Sequence, residues 1–464
     1  MEANLLLQNP WWEGVERINE DLYLKRLTAL PFQYQPTAIT PEDLMSSGVM
    51  TLRGPRQVGK TTLLKLLIRQ LLQQGHPPQN IFYFTTELVA NEKELFDIFK
   101  SYLDFAPEGK HFVFFDEITT VPRWEYAIKH IIDIGLGENV LFILTGSSSF
   151  DLRRGGERLP GRRQVPEPDR VLLPLSFRQY CLMQDFKELE SINLREWQES
   201  ILQALPKLRI FFPKIQSYFK EYLLHGGFLI AMADFLQQRM ITQPTLETYR
   251  TVVISDFEKL RKDRIILRNI IRHLLDTLST PISWNGLARD LGSISGNTVK
   301  EYVQLLADSY LLYILEFLEK GRQQPNVRKN KKLFPYDPLI YQIFANIAGR
   351  EINSSLEFES KKIEGLVGSA LIRNTEGELF QGFASLGSTF YWRSAYGKEI
   401  DFVVLWNEEE IPIEVKYQTH VSPINYITIK RSFGKGLVLT RDSFFQDEKV
   451  IGIPVSCFLY LLPE

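Results

Sequence analysis

The 464-residue chain is poor in cysteine and histidine, with 2 and 6 respectively. Two cysteines, Cys181 and Cys457, cannot build a disulfide framework or a cysteine zinc site, and the histidines show no ligand spacing, so we predict no zinc. No apolar run approaches the roughly 18 residues of a membrane-spanning helix, and the N-terminus lacks a signal peptide's basic segment. The 54 Lys and Arg nearly balance the 56 Asp and Glu. We therefore expect a cytoplasmic protein without membrane contact that is not, over its whole length, an electrostatic nucleic-acid binder.

Short apolar runs alternate with helical stretches from residue 49 to residue 145, a pattern typical of a parallel α/β sheet. The predicted strands and helices are, in chain order, Val49–Leu52, Thr62–Gln74, Ile81–Phe84, Lys93–Leu103, Phe112–Phe115, Trp124–Ile134 and Val140–Leu144. Residues 153–173 are rich in arginine, glycine and proline, and we predict a loop there. Strand-like runs return after residue 380, which predicts a second region containing a sheet.

The segment Gly54-Pro55-Arg56-Gln57-Val58-Gly59-Lys60-Thr61 matches the phosphate-binding pattern G-x-x-x-x-G-K-[ST] in full. It follows a predicted strand and opens a predicted helix at Thr62, which is the context that this pattern requires. Glycines let backbone N–H groups turn toward phosphate oxygens, and the helix N-terminus adds its positive dipole end. Lys60 is expected to reach the β- and γ-phosphates, and the Thr61 hydroxyl to ligate Mg²⁺. The sequence therefore predicts an ATP and Mg²⁺ site over residues 54–62.

The third predicted strand, Phe112–Phe115, is followed by two acids, Asp116 and Glu117. In a sheet that carries a phosphate-binding loop, Asp116 would hold Mg²⁺ directly or through water. Glu117 would orient and deprotonate the attacking water. A solvated turn is the alternative, but the loop upstream favours the catalytic interpretation.

Polar residues follow the next predicted strand, where Thr145 or Ser147 could sense the γ-phosphate; a serine-rich turn is the alternative. Five arginines then lie between residues 153 and 163. An arginine supplied by a neighbouring subunit would stabilise charge in the transition state, and Arg162 is our candidate. A solvated basic loop is the other interpretation of these arginines.

These motifs together resemble a large group of prokaryotic AAA-type ATPases, which are distantly related to the AAA+ and STAND ATPases. The runs that carry the resemblance are Arg53–Thr61, Phe114–Glu117, Leu144–Ser149, Gly161–Arg162 and Leu173–Phe177, and Tyr222–Phe228 is similar to the group's lid segment. In this group the ATPase domain is followed by a winged helix and a C-terminal domain of unknown function. The resemblance covers most of the chain. It implies an ATP- and ADP-binding machine that forms homo-oligomers, with a ring as one form.

Residues 261–332 are predicted to form three helices, Ile265–Leu278, Trp284–Leu291 and Asn297–Tyr310, followed by a basic stretch. A tight glycine-containing turn between the last two makes a helix-turn-helix, and Leu311–Phe317 with the basic stretch would form a wing. The segment has 13 Lys and Arg against 7 Asp and Glu, which suits contact with DNA phosphates. Candidate contacts are Asn297, Lys300, Lys320, Arg322, Arg328, Lys329, Lys331 and Lys332. A packing module without DNA contact is the alternative.

The C-terminal region carries Asp401, Glu414 and Lys416 in the pattern D-x₁₂-E-x-K on two predicted strands. Period-two alternation places Glu414 and Lys416 on one face, and Glu364 in a preceding helix could supply a third carboxylate. Asp401 and Glu414 could hold a divalent metal that generates a hydroxide nucleophile, with the lysine steadying it. The pattern resembles the PD-(D/E)XK nuclease fold. A scaffold whose charges pair with one another is the alternative.

The sequence as a whole predicts an α/β fold: a P-loop NTPase sheet with a helical lid, a winged helix-turn-helix and a C-terminal α/β nuclease-like domain. The predicted segments are a lead-in over 1–48 that docks through its aromatics, an ATPase core over 49–175, a lid over 176–260, a winged helix over 261–345 and a nuclease-like domain over 346–464. The predicted function is ATP hydrolysis that acts on DNA or is regulated by it. The alternatives are a STAND-like nucleotide switch that gates protein partners, and an ATP-controlled, metal-dependent DNA nuclease.

Overall fold

A computed structural model describes most of the chain. The described residues are 2–40, 42–146, 152, 155–157, 159, 164–192, 196–292, 294–352, 355–375, 388–406 and 409–463. They divide into two compact units, a first unit built on residues 1–173 and a second unit built on residues 174–464. No helix within the described ranges is long and apolar enough to cross a membrane.

The first unit contains a five-stranded sheet in the order β2-β3-β4-β1-β5, and every neighbouring pair in it is parallel. Its strands are β1 Gly48–Arg53, β2 Ile81–Thr85, β3 His111–Asp116, β4 Val140–Thr145 and β5 Asp169–Val171. The helices of this unit are α1 Glu2–Gln8, α2 Leu22–Thr28, α3 Lys60–Gln73, α4 Glu92–Leu103 and α5 Trp124–Asp133. The predicted α/β class is confirmed, because buried parallel strands here alternate with helices.

Strand β5 lies inside the segment 153–173, which we predicted to be a loop, so that prediction is wrong at its C-terminal end. The strand pairs with β1, and the Thr51 hydroxyl donates to Asp169 Oδ1 over 2.7 Å. Three residues are too few to show a period of two, so the sequence carries no strand signal there. The contact that forms the strand is made with a residue more than a hundred positions earlier in the chain.

The N-terminal segment packs on β2, which has a strand partner on one side only among the residues that the structure describes. Asn9 is fully buried; its amide group donates to Tyr83 O over 2.9 Å and accepts from Tyr83 N over 2.7 Å. The indole N–H groups of Trp11 and Trp12 both donate to Ile81 O. The open edge of the sheet is thereby closed by side chains, and the backbone groups of β2 are satisfied without another strand.

The second unit holds a six-stranded mixed sheet, β10-β11-β12-β13-β15-β14, and two small antiparallel pairs, β6–β9 and β7–β8. Its helices are α6 Phe177–Met183, α7 Trp197–His225, α8 Leu229–Gln238, α9 Gln243–Lys259, α10 Arg264–Asp276, α11 Trp284–Leu291, α12 Gly296–Asp308, α13 Pro338–Ala348, α14 Leu356–Thr375, α15 Ile427–Ser432 and α16 Val455–Leu461. Its strands are β6 Leu312–Leu315, β7 Leu318–Glu319, β8 Gln324–Pro325, β9 Lys332–Pro335, β10 Thr389–Arg393, β11 Glu399–Trp406, β12 Glu409–Lys416, β13 Gly436–Thr440, β14 Phe445–Asp447 and β15 Val450–Pro454.

Helices α10, α11 and α12 occupy the segment for which we predicted a winged helix. The hydroxyls of Ser283 and Ser295 accept backbone N–H groups at the starts of α11 and α12. Strands β6 to β9 follow, with β6 and β9 forming an antiparallel pair. The predicted boundary between residues 345 and 346 falls inside α13, an apolar helix that continues to Ala348.

The segment resembling a lid, Tyr222–Phe228, contains a turn that packs closely against Asp337 in the second unit. Gly226 has a φ of 67°, and a Cβ added there would lie 1.9 Å from Asp337 Oδ1. The Gly227 N–H donates to Asp337 Oδ2 over 2.8 Å, and Gly227 O accepts from Leu175 N over 2.9 Å. Glycine is therefore required at this turn both for its backbone conformation and for the close approach of Asp337.

Candidate nucleotide site

The loop between β1 and α3 has the backbone conformation of a phosphate cradle. Gly54 and Gly59 adopt positive φ values of 147° and 107°, and Gln57 between them is left-handed with φ 61°. A side chain at Gly54 would meet Leu172 O at 2.0 Å. The loop delivers the chain into the N-terminus of α3, whose first N–H groups have no partner within the helix and can bind an anion.

The Lys60 side chain lies against this loop and is only 6% exposed. Its ammonium group donates to Gly54 O over 2.9 Å and to Pro55 O over 3.0 Å. Both acceptors belong to the phosphate-binding segment, so the positive charge lies where the sequence predicted the phosphates. A phosphate oxygen would be a stronger partner than either neutral carbonyl.

Asp116 at the end of β3 is the acceptor on which the site converges. Thr61 Oγ1 donates to its Oδ2 over 2.7 Å, Tyr83 OH donates to the same oxygen over 3.0 Å, and Thr145 Oγ1 donates to Oδ1. Asp116 is 4% exposed. The structure thus brings together Thr61, Asp116 and Thr145, all of which the sequence had singled out.

Glu117, the next residue, is half-buried and has a left-handed backbone with φ 56°. Its N–H donates to Thr145 Oγ1 over 3.0 Å, so Thr145 contacts both acidic positions. Ser147 and Arg162, the other two predicted participants near this site, lie outside the described residues. The geometry therefore bears on Thr145 alone as the candidate γ-phosphate sensor.

Sequence reasoning missed Tyr83 and Lys65, whose ammonium group lies over the Tyr83 ring. Lys65 Nζ lies 3.3 Å from the centroid of the Tyr83 ring and 3.4 Å from Asp21 Oδ2. Burial raises the pKa of Tyr83 well above its usual range, and the neighbouring Asp116 raises it further, so the phenol remains a hydrogen-bond donor. One signal was present, since Tyr83 and Thr85 share a face of β2 and Thr85 is in register with Asp116.

The donor set at this site fits Mg²⁺, which prefers hard oxygen ligands such as hydroxyl and carboxylate groups. Thr61 and Asp116 present such groups at hydrogen-bond distance from each other. A cation between these two residues would also be next to the loop that the sequence assigns to phosphates. Mg²⁺ is usually held by few protein groups together with substrate phosphates, which matches this sparse set.

The predicted DNA contacts separate into two groups in the second unit. Asn297 and Lys300 on α12, and Arg322, Arg328 and Lys329 in the connections between β7 and β9, are exposed. Lys332 is fully buried, so its predicted contact with nucleic acid is wrong. The predicted contact of Lys331 with nucleic acid is also wrong, because its buried ammonium group donates to Val327 O and Lys329 O.

Lys320 is half-buried rather than displayed to solvent. Its ammonium group lies 3.9 Å from the centroid of the Phe433 ring and 3.6 Å from Glu410 Oε2. The Lys320 side chain is still 34% exposed, so its contact with nucleic acid stays a prediction. Lys331 and Lys332 were taken from a run of basic residues, and the run does not show which side chains point inward.

The predicted nuclease-like residues meet in a cluster of four carboxylates and two ammonium groups, which we call the carboxylate–lysine cluster. Its members are Lys332 of β9, Glu364 of α14, Glu399 and Asp401 of β11, and Glu414 and Lys416 of β12. Lys416 Nζ lies 2.5 Å from Glu414 Oε1. The Val415 N–H donates to Asp401 Oδ2 over 2.8 Å. The structure therefore does bring together Asp401, Glu414, Lys416 and Glu364.

Lys332 is the member of this cluster that the sequence assigned to another role. Its Nζ lies 2.6 Å from Glu399 Oε1, 3.0 Å from Glu364 Oε1 and 3.8 Å from Asp401 Oδ1. Burial lowers the pKa of Lys332, but the three carboxylates outweigh burial and leave the pKa raised. The lysine is accordingly charged within the cluster.

Acids outnumber lysines in the cluster, and burial raises the pKa of two of these acids, Glu364 and Glu414. Burial raises the pKa of Glu414 to about 8, and the charge of Asp401 contributes in the same direction. Among the described residues, no group of three or more His, Cys, Asp or Glu is arranged to hold a metal ion. In the structure these carboxylates pair with Lys332 and Lys416. The metal role of Asp401 and Glu414, with Glu364 as a candidate third carboxylate, stays a prediction.

The parallel sheet, the loop before α3 and the acids after β3 define a P-loop nucleotide-binding domain. Residues 46–181, which contain all five strands of this sheet, match a family model described as AAA domain. Residues 216–351 and 361–458 match models described as domains of unknown function, DUF8612 and DUF4143. These matches support an AAA-type P-loop ATPase core followed by two regions without an assigned role.

The curated relatives include two uncharacterized proteins of Methanocaldococcus jannaschii. The first is 25% identical over 299 residues, which is 61% of this chain and 60% of that protein. The second is 24% identical over 387 residues, which is 81% of this chain and 76% of that protein. The chain therefore spans less than two thirds of the first relative's length.

Similar solved structures include the Aeropyrum pernix ORC2 protein in ADPNP and ADP complexes, with 13% identity and a TM-score of 0.34 over 73% of this chain and 93% of that one. A RuvB variant of Thermotoga maritima has 17% identity and a TM-score of 0.27 over 57% of this chain and 81% of that one. The PCH-2 protein of C. elegans has 17% identity and a TM-score of 0.27 over 55% and 68% of the two chains.

Proposed function

We propose that the first unit binds and hydrolyses ATP with Mg²⁺. The observation that carries this proposal is the convergence on Asp116 of Thr61 from the phosphate-binding loop and Thr145 from the neighbouring strand. A solvated turn would not bury an aspartate among three hydroxyl donors. The family match to an AAA domain over residues 46–181 supports the same activity.

Each residue of the site has a defined role in this proposal. Lys60 exchanges its two carbonyl partners for β- and γ-phosphate oxygens, and Thr61 with Asp116 would hold Mg²⁺, which supplies neutralisation of phosphate charge. Glu117 orients the attacking water and accepts its proton. Thr145 accepts a hydrogen bond from the Glu117 N–H and donates one to Asp116 Oδ1, and it thereby fixes the positions of the two acids relative to each other.

We also propose that DNA acts on this activity through the second unit. Asn297 and Lys300 at the start of α12 and the exposed Arg322, Arg328 and Lys329 remain available for phosphate contact. They lie on a helical segment with a following hairpin region, the arrangement expected for a winged helix. DNA cleavage is not part of the proposal, because the charges of the carboxylate–lysine cluster pair with one another.

The active form that we propose is a homo-oligomer in which Arg162 of one copy acts on the nucleotide of the next. The support is the sequence resemblance to AAA-type ATPases. Turnover per chain should then rise with protein concentration. A STAND-like switch is the competing function, and it differs in having slow turnover that DNA does not change.

The test is steady-state ATP hydrolysis by the full chain with Mg²⁺, at several protein concentrations, without DNA and with linear, single-stranded and branched DNA. We expect turnover that one DNA form stimulates. Replacement Glu117→Gln should lower turnover about 10²- to 10⁴-fold, because proton transfer to a positioned base is lost. The matched control is Glu108→Gln, because Glu108 is an exposed glutamate in the same unit.

The DNA part has its own variant in the same assay. The triple replacement of Arg322, Arg328 and Lys329 by alanine should remove the stimulation. It should also reduce the slope of log K for DNA binding against log salt concentration by the amount expected for nearly three phosphate contacts. A matched triple, Lys187, Lys207 and Lys259 to alanine, removes the same charge from exposed positions elsewhere. Turnover that no DNA changes would favour the switch, and full activity in Glu117→Gln would show that the catalytic assignment is wrong.

A further inference from the structure

The carboxylate–lysine cluster joins parts of the second unit that are distant in sequence. Lys332 begins β9, which pairs with β6 in the region following α12, whereas Glu399 and Asp401 lie on β11 of the six-stranded sheet. Glu364 comes from α14. One buried ammonium group therefore connects a small hairpin sheet, a helix and the large sheet.

The position of the Lys332 ammonium group is the position that a cation would take. Three carboxylate oxygens from three residues lie 2.6, 3.0 and 3.8 Å from Nζ. The side chain of Lys332 is 1% exposed, while those of Glu364 and Asp401 are each 13% exposed. Carboxylates buried to this degree require a compensating positive charge, and the chain supplies one from within.

We propose that this cluster is a cation site which the protein fills with its own Lys332. The native chain accordingly binds no divalent cation among Glu364, Glu399 and Asp401, and the lysine fastens β9 to β11 and α14. Removal of the ammonium group alone should convert the cluster into a site for a hard divalent cation. This inference is independent of the proposed ATPase function, which concerns the first unit.

Calcium is the cation that best fits the vacated position. It accepts 6–8 oxygen ligands at about 2.3–2.6 Å in flexible geometry, whereas Mg²⁺ demands near-ideal octahedral geometry at about 2.0–2.1 Å. The oxygens around Lys332 lie 2.6 to 3.8 Å from its nitrogen, so only modest side-chain rotation would bring them to calcium distances. Water would complete the coordination in the space that the lysine stem leaves.

The experiment is equilibrium dialysis of the full chain against CaCl₂, with the Ca²⁺ content per chain compared between variants. Lys332→Ala should hold about one Ca²⁺ more than the wild type, and Ca²⁺ should raise the thermal midpoint of this variant but not that of the wild type. Adding Asp401→Asn to Lys332→Ala should abolish the extra ion. The matched control is Lys331→Ala, whose lysine lies 3.3 Å from Glu316 outside the cluster and should gain no ion.

A separate comparison needs no removal of the lysine. The wild type and Glu364→Gln should hold the same amount of Ca²⁺, because the native cluster binds none. If Glu364→Gln loses one Ca²⁺ relative to the wild type, the native cluster is already a metal site and the proposal is overturned. It is equally overturned if a folded Lys332→Ala gains no ion.

Discussion

Asp116 accepts hydrogen bonds from side chains that come from three different elements. Thr61 belongs to a contiguous motif and Thr145 is the last residue of β4, so both were predicted from the sequence. Tyr83 lies in an apolar run and becomes part of the site only because β2 and β3 are neighbours. Residue chemistry is thus predictable where a local pattern encodes it, and not where a tertiary contact creates it.

Asp337 gives the prediction that belongs to the residue scale. It is fully buried at the start of α13, where its two oxygens accept the N–H groups of Leu339 and Gly227. Burial raises its pKa from 3.8 to about 6. Because the folded state holds the proton more tightly than the unfolded state, folding takes up a proton between these two values, and the contribution to stability falls as pH rises through that range.

We therefore expect the free energy of unfolding of the wild type, relative to that of Asp337→Asn, to fall by up to about 3 kcal/mol between about pH 4 and pH 7. Urea unfolding of both proteins across this range measures the difference. Asn cannot titrate, and it provides one acceptor where the carboxylate provides two, so it should be less stable overall. Parallel pH profiles for the two proteins would contradict the assignment.

At the scale of elements, the alternation of buried runs and helical stretches located the strands and helices of the ATPase core to within two residues. Such elements are predictable because their periodicity extends over a full strand or several helical turns. Strand β5 was missed since it has only three residues. The burial of Lys332 was missed because basic composition does not show that every residue of β9 is buried.

The N-terminal segment provides the prediction that belongs to this scale. Asn9 pairs with both backbone groups of Tyr83 at the edge of the sheet. Asn9→Ala should leave this N–H and C=O buried without their partner, at a cost of about 1–3 kcal/mol for each group. The thermal midpoint of the first unit should fall by about 2–4 °C for each kcal/mol.

The control for this change is Leu7→Ala, because Leu7 lies in the same segment but is 79% exposed. It should alter stability by no more than about 0.5 kcal/mol. Calorimetry of the three proteins makes the comparison. Equal midpoints for Asn9→Ala and Leu7→Ala would show that the side chains of the N-terminal segment do not close the sheet edge.

At the scale of the whole chain, the sequence indicated an ATPase core followed by further regions, while the structure divides into two compact units at residue 173. The boundary predicted between residues 345 and 346 lies inside α13, because a change in composition does not mark the end of a helix. The carboxylate–lysine cluster is the clearest case. Lys332 and Asp401 are far apart in sequence, and only the folded second unit reveals that they form one electrostatic group.

The measurement that tests the central claim most directly is calorimetric binding of a non-hydrolysable ATP analogue with Mg²⁺ to the wild type and to Lys60→Ala. We predict one nucleotide per chain for the wild type. Loss of a charge-assisted contact to phosphate, worth about 1.5–3 kcal/mol, should weaken binding about 10- to 100-fold in the variant. The exposed Lys93→Ala is the matched control and should bind like the wild type. Wild-type affinity in Lys60→Ala would contradict the assignment of the loop before α3 as the phosphate site.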